Sequence, residues 1–187
     1  MSVTANHCRS PVGNVVFQLI TCLLFSSSIS APLGAAENEW RESDGKFRAR
    51  LSITDHHDQL VKTWERDIAR DVFPTIHEVD RAHIGQKVQG ILAFANCLEI
   101  KEGTCEMTVD FSVKKPDWTK YGYIGERRLW SGDPPTANRL FLGGPYLTFE
   151  ADPVDPEGLY QFSVVIRNSA GSLSVGLERT LLVSRKR

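Results

Sequence analysis

The side chains best suited to chemistry fall into two short clusters. Asp55-His56-His57-Asp58 is the densest, and His77, Glu78, Asp80 and His83 form the second. Neutral imidazole and carboxylate are ligands for zinc or copper, which need three or four donors converging on one point. Neighbours on one turn rarely converge by themselves, so a metal would require the two clusters to meet in space. No His-Glu-x-x-His stretch forces that meeting. The expectation is a polar turn and a solvated segment without a metal, with His56, His57, His77 and His83 as the ligands to watch.

A third group, Glu150, Asp152, Asp155 and Glu157, crowds one loop with the oxygen donors that calcium uses. Pro153 and Pro156 stiffen that loop and the carboxylates follow no ordered spacing, so an acidic turn is expected there. No Gly-x-Ser-x-Gly elbow, phosphate-cradling glycine loop or dinucleotide fingerprint occurs. The sequence offers no catalytic residue and calls for no cofactor.

The stretch 114–135 is different in kind. Lys114, Lys115, Lys120, Arg127 and Arg128 interleave with Trp118, Tyr121, Tyr123 and Trp130. Trp, Tyr and Arg anchor interfaces because they bury large areas while keeping a polar handle. Aromatic faces also stack on sugar rings. Trp118, Tyr121, Tyr123, Arg127, Arg128 and Trp130 are therefore the candidate binding surface. The competing expectation is that the tryptophans fill a core and the lysines protect a sheet edge.

The composition bounds what can position these residues. The chain has 187 residues, 41% hydrophobic and 24% charged, which suits a globular domain rather than a disordered or multi-span chain. Its 22 basic residues nearly balance its 23 acidic ones, so it lacks the basic excess of a general nucleic-acid binder. Residues 10–36 carry no charge, and an apolar stretch at 15–25 is followed by Gly34-Ala35-Ala36. Eleven helical residues rise about 16 Å, too short to span a bilayer. That is the pattern of a signal peptide, with cleavage expected after Ala36 and Ala31 as a second option. A lipid anchor on Cys22 fits less well, because Thr precedes it and Leu23-Leu24-Phe25 continue the apolar run. The expected organisation is a signal peptide at 1–36, a loose segment at 37–45 and a single β-sandwich domain at 46–187, with no membrane span after cleavage. A periplasmic or secreted location follows.

Cys97 and Cys105 are then the two cysteines of the exported part, and are expected to form one disulfide. The bond would staple a hairpin and stabilise by roughly 2–3 kcal/mol in the loop-entropy model.

Strand alternation runs through most of the remainder. Phe47, Ala49, Leu51 and Ile53 face one way, as do Met107, Val109, Phe111 and Val113, and Tyr160, Phe162, Val164 and Ile166. Leu60, Trp64, Ile68 and Val72 recur every fourth residue, which predicts a short helix near 58–70, capped by Asp55 or Asp58 and stopped by Pro74. Thr75 to Val79 reads as a short strand, and Tyr121 to Ile124 as an edge strand. Strict alternation in the last strand puts Arg179 on the inner face, which a bulge would repair. Seven or eight short strands with turn signals between them indicate an all-β antiparallel sandwich.

The last third carries a phrase: Asp155-Pro156-Glu157-Gly158-Leu159-Tyr160, an alternating strand, Asn168 to Gly171, then a final strand. Over residues 150–183 this resembles the end of an immunoglobulin-like β-sandwich domain of a small exported bacterial protein. The resemblance implies that Tyr160 is a structural corner tyrosine whose hydroxyl bonds nearby backbone. Position 162 is Phe rather than Cys, so the usual disulfide between sheets is absent. Such folds host many functions. The leading expectation is an exported non-catalytic binding module whose partner is a protein or a cell-envelope glycan. The alternative is a metal-dependent enzyme or metal carrier built on the His/Asp cluster.

Overall fold

The computed structural model describes residues 41–43, 47–69 and 74–186. The expected signal segment and Val72 lie outside the described residues. Arg41–Ser43, within the stretch expected to be loose, pairs as β1 with the start of β2, Phe47–Thr54.

Two sheets form a sandwich. The first joins β1, β2, β4 (Lys87–Ala95) and β8 (Leu140–Leu142), with β9 (Leu147–Glu150) also on β4. The second runs β3 (Arg81–His83), β11 (Ser174–Ser184), β10 (Gly158–Asn168), β6 (Thr104–Lys114) and β5 (Ile100–Lys101), with β7 (Lys120–Gly132) on β6. The inward sets on β2, β6 and β10 are all buried, as their alternation demands. Eleven strands among the described residues exceed the seven or eight expected, because short edge pieces such as β1 and β5 carry no periodic signal. All pairings are antiparallel except β3 with β11, which run parallel.

The first sheet is buried on both faces over part of its width. Helix α1, His57–Ile68, lays Leu60 and Trp64 on Ile91, Ala93, Ala95 and Leu140, while Val88, Leu92 and Phe94 face the sandwich. This accounts for the nearly continuous apolar run of β4, where a half-solvated strand would alternate. The helix lies where its fourfold spacing puts it, but its N-cap is His56, without a side-chain cap bond from either Asp55 or Asp58.

Residues 74–80 carry the chain from the first sheet to the second. The segment expected as a strand at Thr75 to Val79 has no ladder; the Val79 amide donates to the Ile53 carbonyl at 2.9 Å, and β3 follows it. Crossing between sheets here delivers β3 alongside β11 in the same direction. The crossing segment also resolves the Arg179 problem. No bulge interrupts β11: Arg179 pairs opposite Phe162 and does point inward. Its Nε donates to the Leu51 carbonyl at 3.0 Å, and its guanidinium lies 3.8 Å from Glu78. Arg50 and the Ser52 hydroxyl donate to the other oxygen of the same carboxylate. A half-buried arginine is thus met by a carboxylate and a free strand-edge carbonyl.

The Cys97–Cys105 disulfide is present, with Cα atoms 6.0 Å apart, beside the β5–β6 hairpin.

Candidate functional site

The stretch 114–135 is mostly strand. β7 extends well beyond the expected 121–124 and forms an edge of the second sheet, paired with β6 alone. The hairpin tip that joins them is closed by backbone bonds from the Trp118 amide to the Lys115 carbonyl at 2.9 Å and from the Lys115 amide to the Thr119 carbonyl at 2.8 Å. Asp117 accepts from the Thr119 amide and hydroxyl at 3.0 and 2.6 Å, and these two bonds hold its carboxyl below the usual carboxylate range.

Trp118 sits at this tip with φ of +67° and its side chain largely in solvent, at 67% exposure. A bulky residue in the left-handed region is uncommon, and glycine or asparagine would adopt it more cheaply. Lys114 and Lys120 face each other across the hairpin in register. The Lys114 ammonium lies 5.8 Å from the centre of the Trp118 ring, and that of Lys120 lies 4.3 Å from the Tyr123 ring. Tyr123 is exposed and folds back along the strand: a Cβ on Gly125 would stand 2.4 Å from its hydroxyl oxygen, so the glycine makes room for the ring.

The six sequence candidates therefore separate. Trp118, Tyr123, Arg127 and Arg128 are exposed, the two arginines lying farther along β7. Tyr121 and Trp130 turn inward instead. Tyr121 packs against Phe149 and Tyr160 with ring centres 5.1 and 5.8 Å away, and its hydroxyl donates to the Glu150 carbonyl at 2.9 Å. Trp130 packs against Phe141 and Phe94, and its Nε1 donates to the Asp133 carbonyl at 2.8 Å. The cause is a set of register shifts along β6–β7, one of them between Val113 and Lys114, which break the parity linking Tyr121 to Tyr123. Another shift lies beside Asp110. Burial would raise that carboxyl, but the Glu126 amide and the Arg167 guanidinium outweigh burial and hold it below its ordinary value.

The acidic loop braces this tip. Asp155 accepts from the Lys115 ammonium at 2.8 Å and from the Asp152 amide at 2.9 Å. The lysine, above all, pulls the carboxyl down, and the carboxylate raises the lysine in turn. Pro116 closes over Gly158, where a Cβ would stand 2.9 Å from the proline ring and φ is +138°. The Tyr160 hydroxyl donates to the Pro156 carbonyl at 2.9 Å, and its ring is fully buried. Burial, then Asp155 beside it, push the Tyr121 phenol up to about 12, and burial raises Tyr160 as well. Glu157 pairs with Arg185 at 3.4 Å, so Asp155 and Glu157 address separate partners.

Of the histidines, His56 and His77 meet edge to face with ring centres 6.0 Å apart, at a cleft of about 220 Å³ that Asp67 also lines. His57 stacks on Tyr146 at 4.0 Å. His83 stands apart on β3. Among the described residues, no three side chains of the metal-ligating types converge.

Leu159 escaped the sequence reading. It is 57% exposed on the outward face of β10, where continuing the Gln161–Lys114 register sets it beside Pro116. The signal was available, since an inward Tyr160 turns Leu159 outward.

No family model matches the chain, and no curated protein matches it. Among solved structures it is similar to a family 123 glycoside hydrolase from Clostridium perfringens, with 8% identity, a TM-score of 0.42, and coverage of 74% of this chain and 27% of that one. It is similar also to a CARDB domain from Pyrococcus furiosus, solved in complex with di-metal ions (8% identity, TM-score 0.37, 77% and 94% covered). A third is the sporulation control protein Spo0M from Bacillus subtilis (11% identity, TM-score 0.36, 76% and 51% covered). The chain thus spans about a quarter of the glycoside hydrolase.

Proposed function

We propose that this chain is an exported, non-catalytic binding module, and that its contact surface is the β6–β7 hairpin tip with the exposed face of β7. The observation that carries this reading is Trp118: the chain holds its largest side chain type in the left-handed region and turns it to solvent. Backbone strain of this kind, of order 1–3 kcal/mol, persists where the surroundings over-determine it, and it clusters at binding sites. The bracing of the tip by Lys115–Asp155 and Pro116–Gly158 fixes the tryptophan in advance, which lowers the ordering cost of binding. The disulfide is in keeping with an oxidising compartment, periplasmic or extracellular.

We also read the sandwich as immunoglobulin-like. β2, β4 and β9 correspond in order to strands A, B and E, and β6, β10 and β11 to C, F and G. The Tyr160 hydroxyl bond to Pro156 has the form of the tyrosine corner at the start of F. The metal reading has less behind it, since only His56 and His77 of the four candidate histidines meet ring to ring.

The test is retention of the purified protein on isolated cell-envelope fractions. Trp118→Gly suits it, because glycine accepts the same φ without strain. The reading expects retention to fall with Trp118→Gly and with Tyr123→Ala while both variants melt like the parent. Unchanged retention in both, or none in the parent, would overturn it.

A further inference from the structure

The chemistry of the hairpin face narrows the partner class, given the binding reading above. Lys114 and Lys120 are directly opposed across β6 and β7. Like charges in that position repel. Among the described residues, neither ammonium has a carboxylate within ion-pairing distance, although Lys115 between them has found Asp155. The opposed pair is an unneutralised dication. Each ammonium also lies over an aromatic ring that is itself more than half exposed, Trp118 under Lys114 and Tyr123 under Lys120. Two cations, about 5 Å apart from one strand to the next, and two ring faces thus share the outward side of the hairpin end.

The same outward face continues onto Leu159, and β7 carries two more exposed cations, Arg127 and Arg128. Those lie about 20–25 Å along the strand from Lys120. The outward face thus carries cations at both ends, Lys114 and Lys120 at one and Arg128, opposite Thr108, at the other, with rings near the first. A partner that matches it repeats both a ring face and a negative charge along an extended chain. An acidic peptide repeats the charge but not the ring, and a bilayer presents charge in a plane with no face to stack.

We propose that the outward face of the β6–β7 hairpin binds an acidic polysaccharide, one bearing a carboxylate on its sugar rings. The ammonium groups of Lys114 and Lys120 meet successive carboxylates, and Trp118 and Tyr123 stack on the rings between.

Affinity electrophoresis of the purified protein tests this, with polygalacturonate, neutral dextran, polyglutamate and phosphatidylglycerol vesicles as the four probes. Polygalacturonate is expected to retard the protein and dextran to leave it unaffected. Polyglutamate, with the charge but no ring, is expected to bind about tenfold more weakly, a difference of about 1.4 kcal/mol. Trp118→Gly and the double variant Lys114→Gln/Lys120→Gln are each expected to lose about tenfold toward polygalacturonate at an unchanged melting temperature. The proposal is overturned if polygalacturonate does not bind, if polyglutamate binds as well, if vesicles are the only probe that binds, or if either variant binds like the parent. The broader binding reading fails on a different result, envelope retention that neither Trp118→Gly nor Tyr123→Ala alters, so the two can be told apart.

Discussion

Phe162 packs against Gly90: a Cβ on the glycine would stand 3.3 Å from the phenyl ring. The two residues belong to facing sheets, β10 and β4, so the ring fills the interior between them. Gly90→Val should overpack this contact and cost about 1–3 kcal/mol. Phe162→Ala should leave a cavity and cost about 3–5 kcal/mol. Urea unfolding of both variants checks the pair; a neutral Gly90→Val would mean that the sheets separate freely at this point.

Trp118 and Tyr160 should respond to mutation in opposite ways. Tyr160→Phe is expected to lose about 1 kcal/mol with the bond to Pro156, and Tyr160→Ala about 3 kcal/mol or more with the ring. Trp118→Gly is expected to melt no lower than the parent, because it relieves the left-handed strain. Melting curves of the three decide it, and a large drop for Trp118→Gly would make that ring a packing element.

Glu78 should matter more than an ordinary surface acid. Glu78→Ala strips Arg50, Ser52 and Arg179 of a shared acceptor and should destabilise by about 2 kcal/mol. Glu157→Ala breaks an exposed pair with the Arg185 guanidinium and an exposed bond from the Arg185 amide, together worth about 1 kcal/mol. Equal losses in chemical denaturation would contradict the difference.

The pH profile should fall at both ends. Asp110 and Asp155 are held below their ordinary value of 3.8 in the folded protein. Their contribution is present above that value and is lost as pH falls through the folded pKa, since the unfolded chain takes up its protons first. Tyr121 and Tyr160 shift the other way, Tyr121 from 10.0 to about 12. Their contribution is intact below pH 10 and lost as pH rises toward 12, where the unfolded chain releases its protons first. Tyr121→Phe should reduce the late phenolate step in a 295 nm titration, and Asp155→Asn should flatten the acid limb of a stability curve.

Reducing the Cys97–Cys105 bond should lower stability by about 2–3 kcal/mol and leave the β-sheet circular dichroism in place, because the long strands lie outside the closed loop. Free-thiol labelling under denaturing, non-reducing conditions should find neither cysteine.

The sandwich was legible in the sequence where one strand face is wet and the other dry. The inward sets from Met107 to Val113 and from Tyr160 to Ile166 follow from alternation alone. Where that contrast fails, so does the reading. β4 is covered on both sides by α1 and the sandwich, so its apolar run does not reveal which residue faces which layer. Arg179 obeys its alternation, but its acceptors come from Leu51 and Glu78, far off in the chain. Tyr121 and Tyr123 share a parity that a single bulge cancels, and the φ of Trp118 leaves no trace in composition. All six candidates were visible as residue types, and four of them are exposed. Their division into core and contact needed the register.

The parallel pair of β3 and β11 sets an order of events. Arg81 to His83 find their strand partner at Leu182 to Ser184, about a hundred residues later, so this closure has a large entropy to overcome. During synthesis the second sheet stays open along that side until Ser184 has emerged. Until then Arg81 to His83 have no strand to pair with, and that edge of the sheet is left open to another chain.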